Sequence, residues 1–93
     1  MYFVYIMTNP THTVLFIGFT SDLRKRVWEH REHLGLGITH RYSCIKLIYY
    51  EAGEDYEGVL GREKQLKGWT RKKKELLIHQ MNPTWNDLYD TIE

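Results

Sequence analysis

The 93 residues predict one small α+β domain in which two strands, a helix, a third strand and two further helices follow in that order. Three observations carry this. Residues 2–8 and 44–51 are aromatic and β-branched runs of strand length. Residues 21–34, 55–67 and 71–81 carry apolar residues at helical spacing. Turn and stop residues separate the segments: Asn9-Pro10, Gly18, Gly35, Gly37, Gly68 and Asn82-Pro83.

Strand 2–8, YFVYIMT, is followed by a turn at Asn9-Pro10-Thr11-His12 and a second strand at 13–18. A four-residue loop makes them a hairpin in which paired positions sum to 21, placing Tyr5 opposite Phe16. Gly18 is read as the point where the chain turns away. Thr20, Ser21 and Asp22 then offer side-chain oxygens to the open N–H groups of a helix running to about Leu34, with Gly35 and Gly37 as stops. Residues 38–43 read as a loop and 44–51 as the third strand. The second helix spans 55–67, ending at Gly68, and the third spans 71–81, with Leu76, Leu77 and Met81 as its apolar side. Proline at 83 stops it. Trp85 and Leu88 are expected to pack back on the body.

Bulk properties exclude several classes. A chain of this length supports one modest core, so residues 1–93 form a single domain. A net charge of +1 excludes a uniformly basic nucleic-acid glove, leaving only a local patch. Cys44 is the only cysteine, so no internal disulfide forms. No apolar run has membrane-spanning length, and MYFVYIMTN lacks the basic start and cleavage site of a signal peptide. The expected setting is cytoplasmic. Phosphate-binding GxxxxGK[ST], Cys/His zinc spacing and the Gly-x-Ser-x-Gly elbow are absent from the sequence.

Steps of 100° per residue locate charges that sit against the pattern. In the first helix Leu23, Val27, His30 and Leu34 share a stripe, with Arg26 at its edge and Lys25 facing solvent. In the second, Tyr56, Val59 and Leu66 form the stripe and Glu63 falls inside it, where an unpaired carboxylate is costly. Each has an architectural alternative. His30 fits a hydrogen-bonded core histidine, and Arg26 could pair with Asp22 or with Glu63. Tyr5 and Phe16 could be an ordinary cross-strand pair. Together they propose a site of tyrosine, arginine, histidine and carboxylate drawn from different elements. The run REKQLKGWTRKKK at 62–74 holds seven of the thirteen Lys and Arg residues, beside an acidic group of Glu51, Glu54, Asp55 and Glu57. It reads equally as a solvated face or as a phosphate-contacting stripe through Lys67, Arg71, Lys72, Lys73 and Lys74, with His40 and Arg41 extending the edge.

The string Val4-Tyr5-Ile6, Phe16-Ile17-Gly18, Thr20, Asp22-Leu23, Arg26, Glu29-His30, Arg62-Glu63-Lys64-Gln65-Leu66-Lys67-Gly68-Trp69 and Met81-Asn82-Pro83-Thr84-Trp85 resembles the GIY-YIG nuclease family, in particular its small stand-alone bacterial members. The resemblance implies a three-stranded antiparallel sheet flanked by helices and a metal-dependent endonuclease that hydrolyses DNA phosphodiester bonds. Branched, damaged or single-stranded DNA in repair or recombination is the implied substrate, with RNA as an alternative partner. It assigns Arg26 to the phosphate, Glu63 to one Mg²⁺ or Mn²⁺ ion, His30 and Asn82 to the site, and Tyr5 to the first motif. The second-motif tyrosine is Phe16 here, beside Gly18. A nucleic-acid-binding module with weak or absent cleavage is therefore the alternative expectation.

Overall fold

The computed structural model describes residues 1–32 and 41–92. Three strands, β1 (Tyr2–Thr8), β2 (Leu15–Thr20) and β3 (Lys46–Gly53), form an antiparallel sheet of order β2-β1-β3. Among the described residues the helices are α1 (Leu23–Arg31), α2 (Tyr56–Lys67) and α3 (Arg71–Met81), and a short 3₁₀ turn (Tyr89–Thr91) closes the tail. This is the expected α+β order. None of the helices is long and apolar enough to cross a membrane. The expected glycine stops at Gly35 and Gly37 lie outside the described residues.

The central strand is buried from Val4 to Thr8, and its period-2 alternation feeds two cores. Val4 and Ile6 pack with Ile17, Ile48, Leu66 of α2, Ile78 of α3 and Trp85. On the opposite face Tyr5 and Met7 pack with Leu23 and Val27 of α1, Cys44 and Leu47. Burying each of these aliphatic side chains contributes about 2 kcal/mol, so both faces hold the sheet. Side-chain caps set the helix starts: Asp22 accepts from the Lys25 amide, Asp55 from Gly58 and Thr70 from Lys73. Each cap contributes about 1 kcal/mol.

Besides a third strand that runs two residues later than expected, at Lys46–Gly53, four details differ from the sequence expectation. The hairpin pairs Tyr5 with Gly18 and Met7 with Phe16, a shift of two residues that keeps each side chain on its face. Asn9 causes it: its Oδ1 accepts from the amides of Thr13 (2.9 Å) and Val14 (3.0 Å), so these residues belong to the turn and β2 begins at Leu15. Gly18 is no stop, because β2 continues to Thr20. A Cβ at Gly18 would overlap the Tyr5 ring, so the missing side chain is the space that ring occupies. On α3, Ile78 and Leu77 face the core, while Leu76 and Met81 are 58% and 43% exposed. On α2, Tyr56 is exposed and packs edge-on against Tyr2 and Phe19 instead of entering the core.

Candidate functional site

The α1 face of the sheet holds a polar constellation inside an otherwise apolar layer. Gly18 leaves room for the Tyr5 ring, and α1 lays His30 over it, with Tyr5 Oη 2.9 Å from His30 Nε2. Phe16 completes the group, its ring centroid 5.3 Å from His30 and 6.2 Å from Tyr5. Both polar members are almost wholly buried. Burial, aided by the Arg26 charge, pushes His30 down to about 4, so its imidazole is neutral at pH 7. Burial raises Tyr5 to about 12; the Arg26 guanidinium pulls it back, while Glu29 and Glu63 add to the rise. Arg26 and Glu63 therefore act on the same phenol from two different helices.

Among the described residues His30 Nδ1 has no partner, although it is buried. An orphaned buried N–H is the costlier and rarer state, which assigns the ring proton to Nε2. His30 then donates to the Tyr5 oxygen, and the phenol proton is free to point elsewhere.

Arg26 is half-buried at the lip of a cleft of about 340 Å³, lined with Thr20, Ser21, Asp22, Lys25 and Glu29. Its Nε meets Glu29 at 3.3 Å, its one ion pair among the described residues, so the rest of the guanidinium can face a ligand. It does not pair with Asp22, whose Oδ1 caps the helix. Lys25 faces solvent as its periodicity predicts, and it also lines the cleft, for which adjacency to Arg26 is the only sequence signal.

Glu63 is buried on α2 and pairs at 2.8 Å with Lys67, not with Arg26. The described residues hold no group of three or more Asp, Glu, His or Cys able to cage an ion. One carboxylate does not suit zinc, whereas it suits Mg²⁺ or Mn²⁺, which keep most of their water. Lys67 is half exposed and can swing away at little cost.

Other expected site residues are committed elsewhere. Asn82 caps α3 and ties the tail to β3, donating to Ile48 O (3.1 Å) and Asn86 O (2.8 Å) while accepting from the Asn86 amide. That is across the sheet from β2. Arg71 pairs with Glu75 at 2.9 Å and donates to the carbonyls of His12 and Thr13, stapling the hairpin loop. Lys73 lies over the Trp69 ring at 4.3 Å, Lys74 is half-buried, and Lys72 is exposed. Arg41 is exposed over Tyr42, and His40 lies outside the described residues. The 62–74 run is thus not one uniform phosphate stripe.

Comparison with known proteins gives the family and agrees with the fold. Residues 1–76 match the family model for the GIY-YIG catalytic domain. A UPF0213 protein of Syntrophus aciditrophicus is 37% identical over 87% of this chain and 92% of its own. One from Bacillus pumilus is 36% identical over 72% and 68%, and one from Staphylococcus aureus is 33% identical over 85% and 95%. The solution structure of a UPF0213 protein from Bacillus halodurans shares the fold, with a TM-score of 0.60 over 94% of this chain and 93% of that one at 24% identity. The chain therefore belongs to the GIY-YIG family, a family of nucleases.

Proposed function

We propose that this chain is a metal-dependent endonuclease that hydrolyses DNA phosphodiester bonds in the Arg26 cleft. The observation that supports it best is the unsaturated constellation of Tyr5, His30 and Arg26, with Glu63 acting on the same phenol. Phosphodiester hydrolysis needs charge neutralised on the phosphoryl oxygens, a proton removed from water, and help for the leaving oxygen. The open guanidinium of Arg26 supplies the first. Tyr5 Oη is the proton acceptor, held in place by the N–H of His30 and backed by Phe16. Glu63 would hold one Mg²⁺ or Mn²⁺ ion, which when bound supplies further positive charge at the leaving oxygen.

Ionisation of Tyr5 is the demanding step. At pKa about 12 only about one phenol in 10⁵ is ionised at pH 7. Substrate and metal must lower that value, or turnover is slow. This observation, with Phe16 in place of the second tyrosine, favours one alternative: a DNA-binding module with weak or no cleavage. Nicking of a branched-DNA panel with added Mg²⁺ or Mn²⁺ separates the two. The nuclease reading expects nicking that both Arg26→Ala and Glu63→Ala abolish. Salt-sensitive binding without any cleavage supports the module.

A further inference from the structure

The outer face of α1 carries a second cleft, of about 330 Å³, lined by Asp22, Arg24, Lys25, Trp28 and Tyr89. Asp22 and Lys25 line the Arg26 cleft as well, so the two clefts adjoin at the first turn of α1. Trp28 is 47% exposed, so about half of this large aromatic side chain stays open to solvent at the cleft. It sits one turn after Lys25 on neighbouring ground of the helix. Tyr89 forms the opposite wall, braced by Arg31 at 4.6 Å and Arg24 at 5.1 Å from its ring centroid. Arg24 is anchored by a 3.0 Å bond to Ile92 O and Arg31 by Asp87 at 3.1 Å. The wall is therefore rigid, and the open ring of Trp28 is the surface left for a ligand.

We propose that this groove takes an unpaired base of the DNA strand whose phosphate lies in the Arg26 cleft, the base stacking on Trp28 and Lys25 neutralising the intervening phosphate. The inference rests on the nucleic-acid reading above and narrows its substrate to DNA with a single-stranded segment beside the cleaved bond. An open aromatic ring next to cationic side chains is the chemistry that holds single strands without reading sequence. A continuous duplex keeps its bases stacked and offers none to Trp28. The charge is complementary: Lys25 has no ion pair among the described residues, and Arg24 keeps its charge while bonded to a neutral carbonyl.

Fluorescence anisotropy with a labelled oligo-dT of about 12 nucleotides in EDTA tests this without turnover. Trp28→Ala is expected to weaken binding about tenfold, and Trp28→Phe to stay within about threefold of native. Binding of a blunt duplex should change less than twofold on the same substitution, roughly the scatter for an uncontacted residue. Lys25→Ala should lower the salt slope by about one. The exposed position of Trp28 lets both variants fold, which circular dichroism checks. Native affinity for oligo-dT in Trp28→Ala, or an equal loss on duplex, overturns the groove. So does selective Trp28-dependent binding of an oligo-U RNA in place of the DNA. Glu63-dependent nicking with Trp28-independent binding would refute the groove and leave the nuclease reading standing. Trp28-dependent binding without nicking would do the reverse.

Discussion

Two tyrosine–arginine clusters stand on opposite sides of the sheet, and they differ in what is left unbonded. In the Tyr49–Glu51–Arg62 cluster the Tyr49 hydroxyl donates to Glu51, and Arg62 gives Nε and Nη2 to the same carboxylate. Arg62 Nη1 goes to Gln65 at 2.8 Å, and the guanidinium covers Trp69. Burial alone would raise Glu51, yet the hydrogen bonds from Arg62 and Tyr49 hold it below the usual carboxylate range. Every strong donor there has an acceptor. In the Tyr5–His30–Arg26 cluster, by contrast, His30 Nδ1 has no partner among the described residues, and Arg26 has one carboxylate partner there, Glu29, besides its contact with Tyr5. Saturation marks architecture, and incompleteness marks capacity for a ligand. The contrast matters because both clusters combine a buried tyrosine with an arginine.

Substitutions on each side should separate accordingly. Arg26→Ala is expected to lower the nicking rate by about 10³, or about 4 kcal/mol of transition-state stabilisation, with the urea midpoint nearly unchanged. Glu51→Ala is expected to do the opposite. It leaves nicking of the folded protein intact while costing about 2 kcal/mol of stability in urea denaturation, since Arg62 and Tyr49 lose their shared acceptor. Equal effects of the two on both readouts would erase the distinction.

Acid separates the clusters by pH window. His30 is neutral when folded and titrates near 6.5 when unfolded, so the unfolded state binds the extra proton as pH falls. Stability should fall by about 2 kcal/mol between pH 7 and 4.5, and His30→Gln should flatten that slope. Glu51 has a depressed folded value, so its contribution is present above the ordinary carboxylate pKa and is lost only at lower pH. A His30→Gln variant with the native slope would remove His30 as the cause. Smaller still, Gly18→Ala should cost about 1–3 kcal/mol in urea denaturation, because its methyl group meets the Tyr5 ring.

How far these features could be read from sequence depends on whether their causes are local. The bounds of α3 were legible in Thr70 and Asn82-Pro83, because caps and proline act within a few residues. Arg26 at the core edge and His30 and Glu63 in buried stripes followed from helical spacing, and the structure buries both of the latter. The errors share one source. Gly18 resembled a turn because its true partner, the Tyr5 ring, comes from another strand. Asn9 reset the hairpin register through side-chain bonds that spacing cannot reveal. Arg71 is read as part of a phosphate stripe because the His12 and Thr13 carbonyls it binds lie far away in sequence. Leu76 looked like core because the phase of an isolated helix does not say which side meets the sheet.

The central claim, that the unsaturated cluster is where a phosphodiester is cleaved, is tested most directly by the pH dependence of nicking with Tyr5→Phe as control. A proton acceptor near 12 predicts a rate that rises about tenfold per pH unit from 7 to 9, and its abolition in Tyr5→Phe. A flat profile, or full activity in Tyr5→Phe, would contradict it.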